Sequence, residues 1–295
     1  MSLTGSVFLD SGYQVCVKKT YLNHTFISGN KLSKLKYNIL EAKNLKKTTL
    51  VTFGGAYSNH IAAVAVAGKE NGFKTIGVIR GEELHSKINE NPTLLFSQES
   101  GMQFKFITRE EYRNKTTDCF LENLKKEFGD FYLIPEGGTN ILAVKGCEEI
   151  LEKEDEVYDY ICCPVGTGGT ISGIINASFA HQKILGFPAL KGDFLQEEIS
   201  KFTTKTNWEL ITDYHFGGYA KVNAELIDFI NQFKKQNNIP LDPVYTGKML
   251  FGIRDLISKG FFPKGSKILI IHTGGLQGIP GMNTVLKKKN LPLIQ

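Results

Sequence analysis

From about residue 48 onward, short apolar runs alternate with longer segments of helical period, and this alternation constrains the fold more than any other feature of the sequence. The short runs are rich in Val, Ile, Phe and Tyr and have the length of strands, whereas the segments between them show helical spacing. A strand, a helix and another strand form the unit of a parallel sheet. The sequence therefore predicts an α/β protein with doubly wound sheets.

The predicted elements follow one another without internal repeats or linkers rich in Pro, Gly or Ser. The predicted strands are 50–53, 75–79, 103–107, 131–134, 158–163, 183–186 and 267–271. The predicted helices are 58–71, 92–100, 114–128, 140–153, 170–180, 223–236 and 246–259. Because no linker is visible in the composition, any division into domains has to be defined by where the folded chain crosses from one sheet to another.

Length and charge exclude several classes of protein. The chain has 295 residues, of which 41% are hydrophobic and 22% charged, so it can bury the core of one or two domains and is not intrinsically disordered. The net charge is +5, but the basic residues are scattered and only 287–289 form a run. Without a basic stripe and interleaved aromatic residues, no nucleic-acid partner is predicted.

Five cysteines occur without CxxC spacing and without clustered histidines. An odd number in a long chain is typical of reduced, intracellular proteins, so neither disulfides nor a metal site are predicted. No apolar stretch approaches the roughly 18 residues that span a bilayer, and the N-terminus lacks the pattern of a signal peptide. We therefore expect a cytoplasmic location and no membrane partner.

Glycine clusters follow five of the apolar runs. They lie at residues 54–55, 137–138, 166–169, 217–218 and 274–275. In open α/β sheets, ligands bind at the carboxyl ends of strands, where glycine allows the backbone to approach the ligand closely. The five clusters therefore predict one shared binding site.

The most informative cluster is the segment VGTGGT, which follows a predicted strand and opens a predicted helix. Its three glycines, Gly166, Gly168 and Gly169, free backbone N–H groups to surround a phosphate at the positive end of the helix, and Thr167 and Thr170 add hydroxyls. The spacing matches neither of the common nucleotide motifs. A glycine-rich turn without a ligand and a nucleotide site are the alternative interpretations.

The segment GGAYSNH, residues 54–60, again joins a strand to a helix. Ser58 or Asn59 is a natural N-cap for the Ala-rich stretch that follows. Free N–H groups at such a terminus can also bind a carboxylate, so capping and substrate binding are compatible interpretations.

Five ordered segments together resemble a known family. They are SGNKLSKLKY at 28–37, TFGGAYSNH at 52–60, PVGTGGT at 164–170, LDPVYTGK at 241–248 and HTGG at 272–275. They resemble the family of 1-aminocyclopropane-1-carboxylate deaminase and D-cysteine desulfhydrase, which are pyridoxal-phosphate enzymes with the tryptophan synthase β-subunit fold (fold type II). The resemblance runs from Val15 to Gly278, and the GNKxxKLKY form favours this branch over the serine and threonine dehydratases.

The resemblance implies cofactor contacts for residues that composition alone does not single out. Lys31 would hold pyridoxal 5'-phosphate covalently, and Asn59 would contact its phenolic oxygen. The backbone of residues 166–170 would bind the phosphate, and the hydroxyl of Thr273 would meet the pyridine nitrogen.

The same resemblance implies residues that face the substrate, a small amino acid. Ser58, Asn59 and the backbone amides around His60 would face its carboxylate, and Tyr219 and Tyr245 match two family tyrosines that face the substrate. With Lys31 as the base for the α-proton, Ser58, Tyr219 and Tyr245 complete the predicted catalytic set.

The resemblance also implies an architecture and an assembly. Residues 1–35 together with 146–295 would form a larger cofactor-binding domain, and residues 36–145 a smaller inserted one. Homodimers are usual in that family, so a homodimer is expected.

Two threonines bear on the reaction. Where the deaminases carry a glutamate that protonates the pyridine nitrogen, this chain has Thr246, so Thr246 and Thr273 offer neutral partners only. A weaker electron sink favours elimination of a good leaving group, which predicts a D-cysteine desulfhydrase-like lyase that yields a keto acid and ammonia. The alternatives are a 1-aminocyclopropane-1-carboxylate deaminase and an inert cofactor-binding protein; the latter is suggested by departures at 18–21 and Ser33.

Overall fold

The structure is a computed structural model that describes residues 4–7, 12–27 and 29–295. The strands are β1 (Thr4–Ser6), β2 (Gln14–Lys18), β3 (Thr49–Gly54), β4 (Lys74–Arg80), β5 (Met102–Ile107), β6 (Tyr132–Ile134), β7 (Tyr160–Val165), β8 (Lys183–Pro188), β9 (Trp208–Leu210) and β10 (Lys267–Ile271). The helices are α1 (Asn30–Asn44), α2 (Asn59–Asn71), α3 (Pro92–Glu99), α4 (Arg109–Arg113), α5 (Asp118–Phe128), α6 (Ile141–Glu148), α7 (Gly169–Ala177), α8 (Phe194–Ser200), α9 (Ala224–Asn237), α10 (Thr246–Ser258) and α11 (Ile279–Lys288).

The larger sheet has six strands in the order β1-β2-β10-β7-β8-β9. Only the β1–β2 pair is antiparallel, and the other strand pairs of this sheet are parallel. Successive residues of β10 alternate between two hydrophobic clusters: Ile268 and Ile270 contribute to one, Leu269 and Ile271 to the other. Since side chains alternate between the faces of a strand, both faces of this sheet are covered.

The smaller sheet has four parallel strands in the order β5-β4-β3-β6. Along β3, Leu50 packs into one hydrophobic cluster, whereas Val51 and Phe53 pack into another. Both sheets are therefore sandwiched between helices, and the predicted α/β fold class is confirmed.

Each of the seven predicted strands has a counterpart, but several elements differ from the prediction. The strands β1, β2 and β9 and the helices α1, α4, α8 and α11 are absent from the prediction. The predicted helix 140–153 ends at Glu148, and the predicted helix 114–128 begins only at Asp118. The glycines at 217–218 follow a loop and not a strand, because β9 already ends at Leu210.

The two sheets suggest where the chain divides. We propose that the larger sheet defines the domain predicted for residues 1–35 and 146–295, and the smaller sheet the domain predicted for 36–145. The helices α1 and α6 lie at these boundaries and pack closely, because a Cβ on Gly146 would lie 2.0 Å from the carbonyl oxygen of Ser33.

The cysteines are all free thiols: Cys16, Cys147, Cys162 and Cys163 are buried and Cys119 is exposed. Among the helices of the described residues, none combines the length and apolar content that a membrane crossing requires. The cytoplasmic location stays a prediction.

Candidate active site

Loops from the two sheets meet at one place. A Cβ on Gly137 would lie 2.8 Å from Cγ2 of Thr167, and a Cβ on Gly275 would lie 3.0 Å from Nδ2 of Asn59. Gly137 and Asn59 follow strands of the smaller sheet, whereas Thr167 and Gly275 follow strands of the larger one. The carboxyl ends of both sheets therefore border a common region, as the glycine clusters predicted.

Lys31 lies in the first turn of α1 at this region. The preceding Gly29 has a φ of 60°, and a Cβ there would come within 1.9 Å of the carbonyl oxygen of Thr273. The N–H of Asn30 donates to the same oxygen at 3.3 Å. Glycine is therefore required at 29, since a side chain would push the start of α1 away from the loop after β10.

The amine of Lys31 is in an environment that disfavours its charge. Burial, together with the neighbouring Lys34, lowers its pKa to about 7, although Cys147 and Asp242 act in the opposite direction. Its Nζ donates to Oδ1 of Asn30 at 3.0 Å. At neutral pH a large fraction of the amine is therefore unprotonated, which is the form that can act as nucleophile or base.

This shift makes the stability of the cofactor-free protein depend on pH. Because the folded pKa of Lys31 lies below the ordinary 10.5, the unfolded chain binds more protons between about pH 7 and about pH 10.5. The Lys31 contribution to the free energy of unfolding therefore rises with pH across that window. We expect Lys31→Met to be more stable than the wild type near neutral pH, and the difference to shrink as the pH rises. Urea denaturation at several pH values measures it, and parallel pH slopes in the two proteins would contradict the shift.

The segment predicted to bind a phosphate, which we call the phosphate loop, joins β7 to α7. Gly168 has the left-handed φ of 86° and precedes Gly169, the first residue of α7. The first N–H groups of a helix have no partner within the helix, so they are available to an anion. Nδ2 of Asn30 donates to Oγ1 of Thr170 at 2.7 Å, which ties this loop to the start of α1.

A second buried lysine, Lys34, lies beside the loop and was not predicted. It is 3% exposed, and its Nζ donates to the carbonyl oxygen of Gly137 at 2.8 Å, to Oγ1 of Thr139 at 3.0 Å and to Oγ1 of Thr167 at 3.4 Å. Burial lowers its pKa. Its position one helical turn after Lys31, on the same face of α1, is the sequence signal that could have revealed it.

The N-terminus of α2 is the place where the sequence predicts a helix cap and a site for a substrate carboxylate. Ser58 is the N-cap, and its Oγ accepts from the N–H of Ile61 at 3.4 Å. Oδ1 of Asn59 and Nδ1 of His60 are buried and have no hydrogen-bond partner among the described residues. Unpartnered buried acceptors in a native protein point to a missing ligand or water.

His60 is neutral. Burial, together with the positive charges of Lys31 and Lys34, lowers its pKa well below the ordinary value. Its Nε2 lies 2.8 Å from Oγ1 of Thr52, which donates to the carbonyl oxygen of Ile134 at 2.9 Å. Because the Thr52 hydroxyl donates its proton to Ile134, it can only accept from His60. Nε2 of His60 therefore carries the ring proton, and Nδ1 is the acceptor without a partner.

Two tyrosines border the region from the larger sheet. The rings of Tyr219 and Tyr245 pack edge to face with centroids 6.2 Å apart. A Cβ on Gly166 would lie 3.2 Å from the hydroxyl oxygen of Tyr245, so this ring lies against the phosphate loop. Burial, reinforced by Tyr219 and Asp242, raises the pKa of Tyr245 well above its ordinary value. Its hydroxyl therefore keeps its proton at neutral pH.

The hydroxyl of Thr246 does not point to an open site. Its Oγ1 donates to Oδ1 of Asp242 at 2.7 Å, and Thr246 is fully buried. Asp242 was not predicted as a site residue; it is 1% exposed, and a Cβ on Gly275 would lie 3.1 Å from its Cγ. Its two carboxylate oxygens accept from the N–H groups of Val244, Tyr245 and Thr246 and from the Thr246 hydroxyl, so Asp242 caps the start of α10 and takes up that hydroxyl.

A profile of the family described as "Pyridoxal-phosphate dependent enzyme" matches residues 6–274, which is most of the chain. The chain belongs to the pyridoxal-phosphate dependent enzyme family. The family and the cofactor expected from the sequence motifs are thereby confirmed.

Known members of this pyridoxal-phosphate family resemble the chain over most of its length. The bifunctional D-cysteine desulfhydrase/1-aminocyclopropane-1-carboxylate deaminase, mitochondrial, of Arabidopsis thaliana is 32% identical over 302 residues, covering 92% of this chain and 74% of that protein. The 1-aminocyclopropane-1-carboxylate deaminase of Rhizobium rhizogenes is 29% identical over 283 residues, covering 86% and 84%. A crystal structure described as an ACC (1-aminocyclopropane-1-carboxylate) deaminase homologue matches with a TM-score of 0.81 at 28% identity. The match covers 93% of this chain and 88% of that one.

The residues present fit pyridoxal phosphate. The group needs an amine, a site for a phosphate and polar partners for its ring substituents, and the region offers Lys31 with a pKa of about 7, the N-terminus of α7 and the unpartnered Oδ1 of Asn59. Nζ of the buried Lys34 adds a hydrogen-bond donor beside the phosphate loop. The individual roles predicted for Asn59, Thr273 and residues 166–170 remain proposals.

Proposed function

We propose that this pyridoxal-phosphate enzyme deaminates a small amino acid and releases a keto acid and ammonia. The observation that carries the proposal is the partly buried Lys31 at the region where loops of the two sheets meet, whose amine has a pKa lowered to about 7. When bound, pyridoxal phosphate supplies an electron sink for negative charge at the substrate α-carbon.

Residues of this chain take the α-proton, bind the substrate carboxylate and donate a proton where the bond breaks. Nζ of Lys31 accepts the α-proton, because its amine is unprotonated in part at neutral pH. The N-terminus of α2 with Ser58 binds the substrate carboxylate. The protonated hydroxyl of Tyr245 donates to the group or carbon at which the bond breaks.

Two substrates are the leading candidates, and the order differs from the one that the sequence suggested. Deamination of 1-aminocyclopropane-1-carboxylate is supported by the names of the Rhizobium and Arabidopsis relatives and of the structural homologue. The argument against it rested on Thr246 and Thr273 as neutral partners, and the Thr246 hydroxyl donates to Asp242 instead of facing an open site. Elimination from D-cysteine is supported by the second activity in the name of the Arabidopsis relative and by the threonine at 246.

A single assay separates these functions. The purified holoenzyme is incubated with 1-aminocyclopropane-1-carboxylate, D-cysteine, β-chloro-D-alanine and L-serine, and keto acid and ammonia are measured together. We expect turnover of the cyclopropane substrate, of D-cysteine or of both. Turnover of L-serine alone would contradict the proposed substrate class, and no turnover of any of them would favour an inert cofactor-binding protein.

Replacing the cap of α2 tests the carboxylate site. Both Ser58→Ala and Thr117→Ala remove an N-cap that accepts a backbone N–H at 3.4 Å, so each should cost about 1 kcal/mol of stability. Only Ser58→Ala should also raise KM, by about tenfold or more, because a hydrogen bond to a charged group is worth roughly 1.5–3 kcal/mol. Steady-state kinetics on both variants measure this. Equal KM values would mean that Ser58 is a cap and nothing else.

A further inference from the structure

One segment of the larger domain, residues 214–222, runs along a single face of α10. The hydroxyl of Tyr214 donates to Oδ2 of Asp255 at 2.6 Å, the rings of Phe216 and Phe251 have centroids 5.0 Å apart, and Tyr219 packs on Tyr245. On the α10 side, the residues that contact this segment are Tyr245, Lys248, Phe251, Gly252 and Asp255. Tyr245 is the N-cap of α10, and the steps from 245 to 248, from 248 to 251 or 252, and from there to 255 are each three or four residues, which is the spacing of one helical face.

Lys248 is the charged residue of this helical face. It is 2% exposed, and its Nζ donates to the carbonyl oxygens of His215 and Gly218, each at 2.8 Å. In the described part of the chain no carboxylate forms an ion pair with it, so its charge is satisfied by these two carbonyl dipoles. Burial lowers the pKa of Lys248 to about 8, and Asp242 opposes that shift. The ammonium form therefore predominates at neutral pH.

The backbone that Lys248 holds is in a conformation that needs external support. Phe216 has a φ of 53° and Ala220 a φ of 55°, and Gly217 and Gly218 between them also have positive φ. Non-glycine residues rarely adopt this region, and such a backbone persists only where its surroundings hold it. The carbonyl of Gly218, directly before Tyr219, is one of the two groups that Lys248 binds.

We propose that Lys248 is a positioning residue that holds the 214–222 segment on α10 and thereby fixes Tyr219 against Tyr245 at the active site. Tyr219 is 45% exposed; it contacts Tyr245 through its ring edge and a side-chain hydrogen bond, and the backbone held by Lys248 directly precedes it. The role of Tyr219 toward the substrate rests on the proposed function, whereas the order of the segment does not.

Hydrogen exchange on the holoenzyme, without substrate, tests the structural part. In Lys248→Met we expect the amides of 216–222 to exchange at least about tenfold faster, because a local contact that opposes opening is lost. The visible absorption of the bound cofactor should stay unchanged. Lys205→Met is the matched control, since Lys205 Nζ binds the carbonyls of Asn176 and Ser178 at 2.8 and 2.6 Å on the surface. Wild-type exchange of the segment in Lys248→Met would overturn the proposal, whatever the substrate proves to be.

Kinetics test whether Lys248 acts through Tyr219. We expect Lys248→Met to lower kcat/KM by about 10- to 100-fold, the range for a displaced active-site group, and Lys205→Met to leave it unchanged. In a Tyr219→Ala background, Lys248→Met should cause no further loss. Fully additive losses would show that Lys248 acts by another route and would overturn the proposal.

A second variant covers the case in which Lys248→Met does not fold. Lys248→Gln keeps a neutral donor on a shorter side chain, so the exchange of 216–222 should lie above the wild-type rate. Wild-type exchange in a folded Lys248→Gln would overturn the proposal as well.

Discussion

Lys31→Ala is expected to abolish turnover and the absorption band of covalently held cofactor. The variant lacks both the amine that attaches the cofactor and the base that removes the α-proton, and general-base catalysis alone contributes up to about 10⁴-fold. We therefore expect kcat/KM to fall by at least about that factor. Absorption spectra and steady-state kinetics on the reconstituted variant measure both effects.

Lys36→Ala is the matched control on the same helix. Lys36 lies five residues further along α1, where it is exposed and paired with Glu149 at 2.5 Å. This variant should keep the cofactor band and the wild-type rate. If Lys31→Ala retained activity while Lys36→Ala lost it, the assignment of the amine would be wrong.

The second large effect is expected from Gly168→Ala in the phosphate loop. Gly168 has a φ of 86°, and a Cβ there would lie 3.2 Å from Cγ1 of Ile199. A left-handed conformation costs a non-glycine residue about 1–2 kcal/mol, so the loop should rearrange and lose the alignment of its N–H groups. We expect the affinity for pyridoxal phosphate to fall by about tenfold or more, as measured by titration of the cofactor-free protein.

Gly260→Ala separates backbone strain from loss of the phosphate site. Gly260 has a φ of 69° after the end of α10, and nothing lies within 4 Å of a Cβ there. The strain is similar, so stability should fall in both variants. Cofactor affinity should fall only in Gly168→Ala, and an unchanged affinity in that variant would argue against a phosphate at this loop.

The helix α1 shows why some of the fold could not be predicted from the sequence. Its buried positions, Lys34, Leu35, Asn38, Ile39 and Ala42, have helical spacing, but two of the five are polar. Their burial depends on partners such as Gly137 and Asn140, about 100 residues away in the sequence. A pattern search based on apolar residues therefore misses this helix. The strands β1 and β9 have only three residues each, which is too short for a periodicity to appear.

Local features of the candidate site could be predicted where local sequence determines structure. The N-cap at Ser58 follows from the helix start itself, and four of the five glycine clusters do follow strands; the cluster at 217–218 is the exception. Asp242 and Lys34 were missed for the opposite reason. Asp242 is buried beside the loop after β10, and Lys34 bonds to residues more than 100 positions away, so only the folded chain reveals them.

Trapping the cofactor on its lysine tests the central claim most directly. The holoenzyme is reduced with borohydride, digested and analysed by mass spectrometry to locate the pyridoxyl adduct. We predict a single adduct on Lys31, the amine with the pKa of about 7 at the start of α1. An adduct on Lys34, on Lys248 or on no lysine would contradict the assignment of this site.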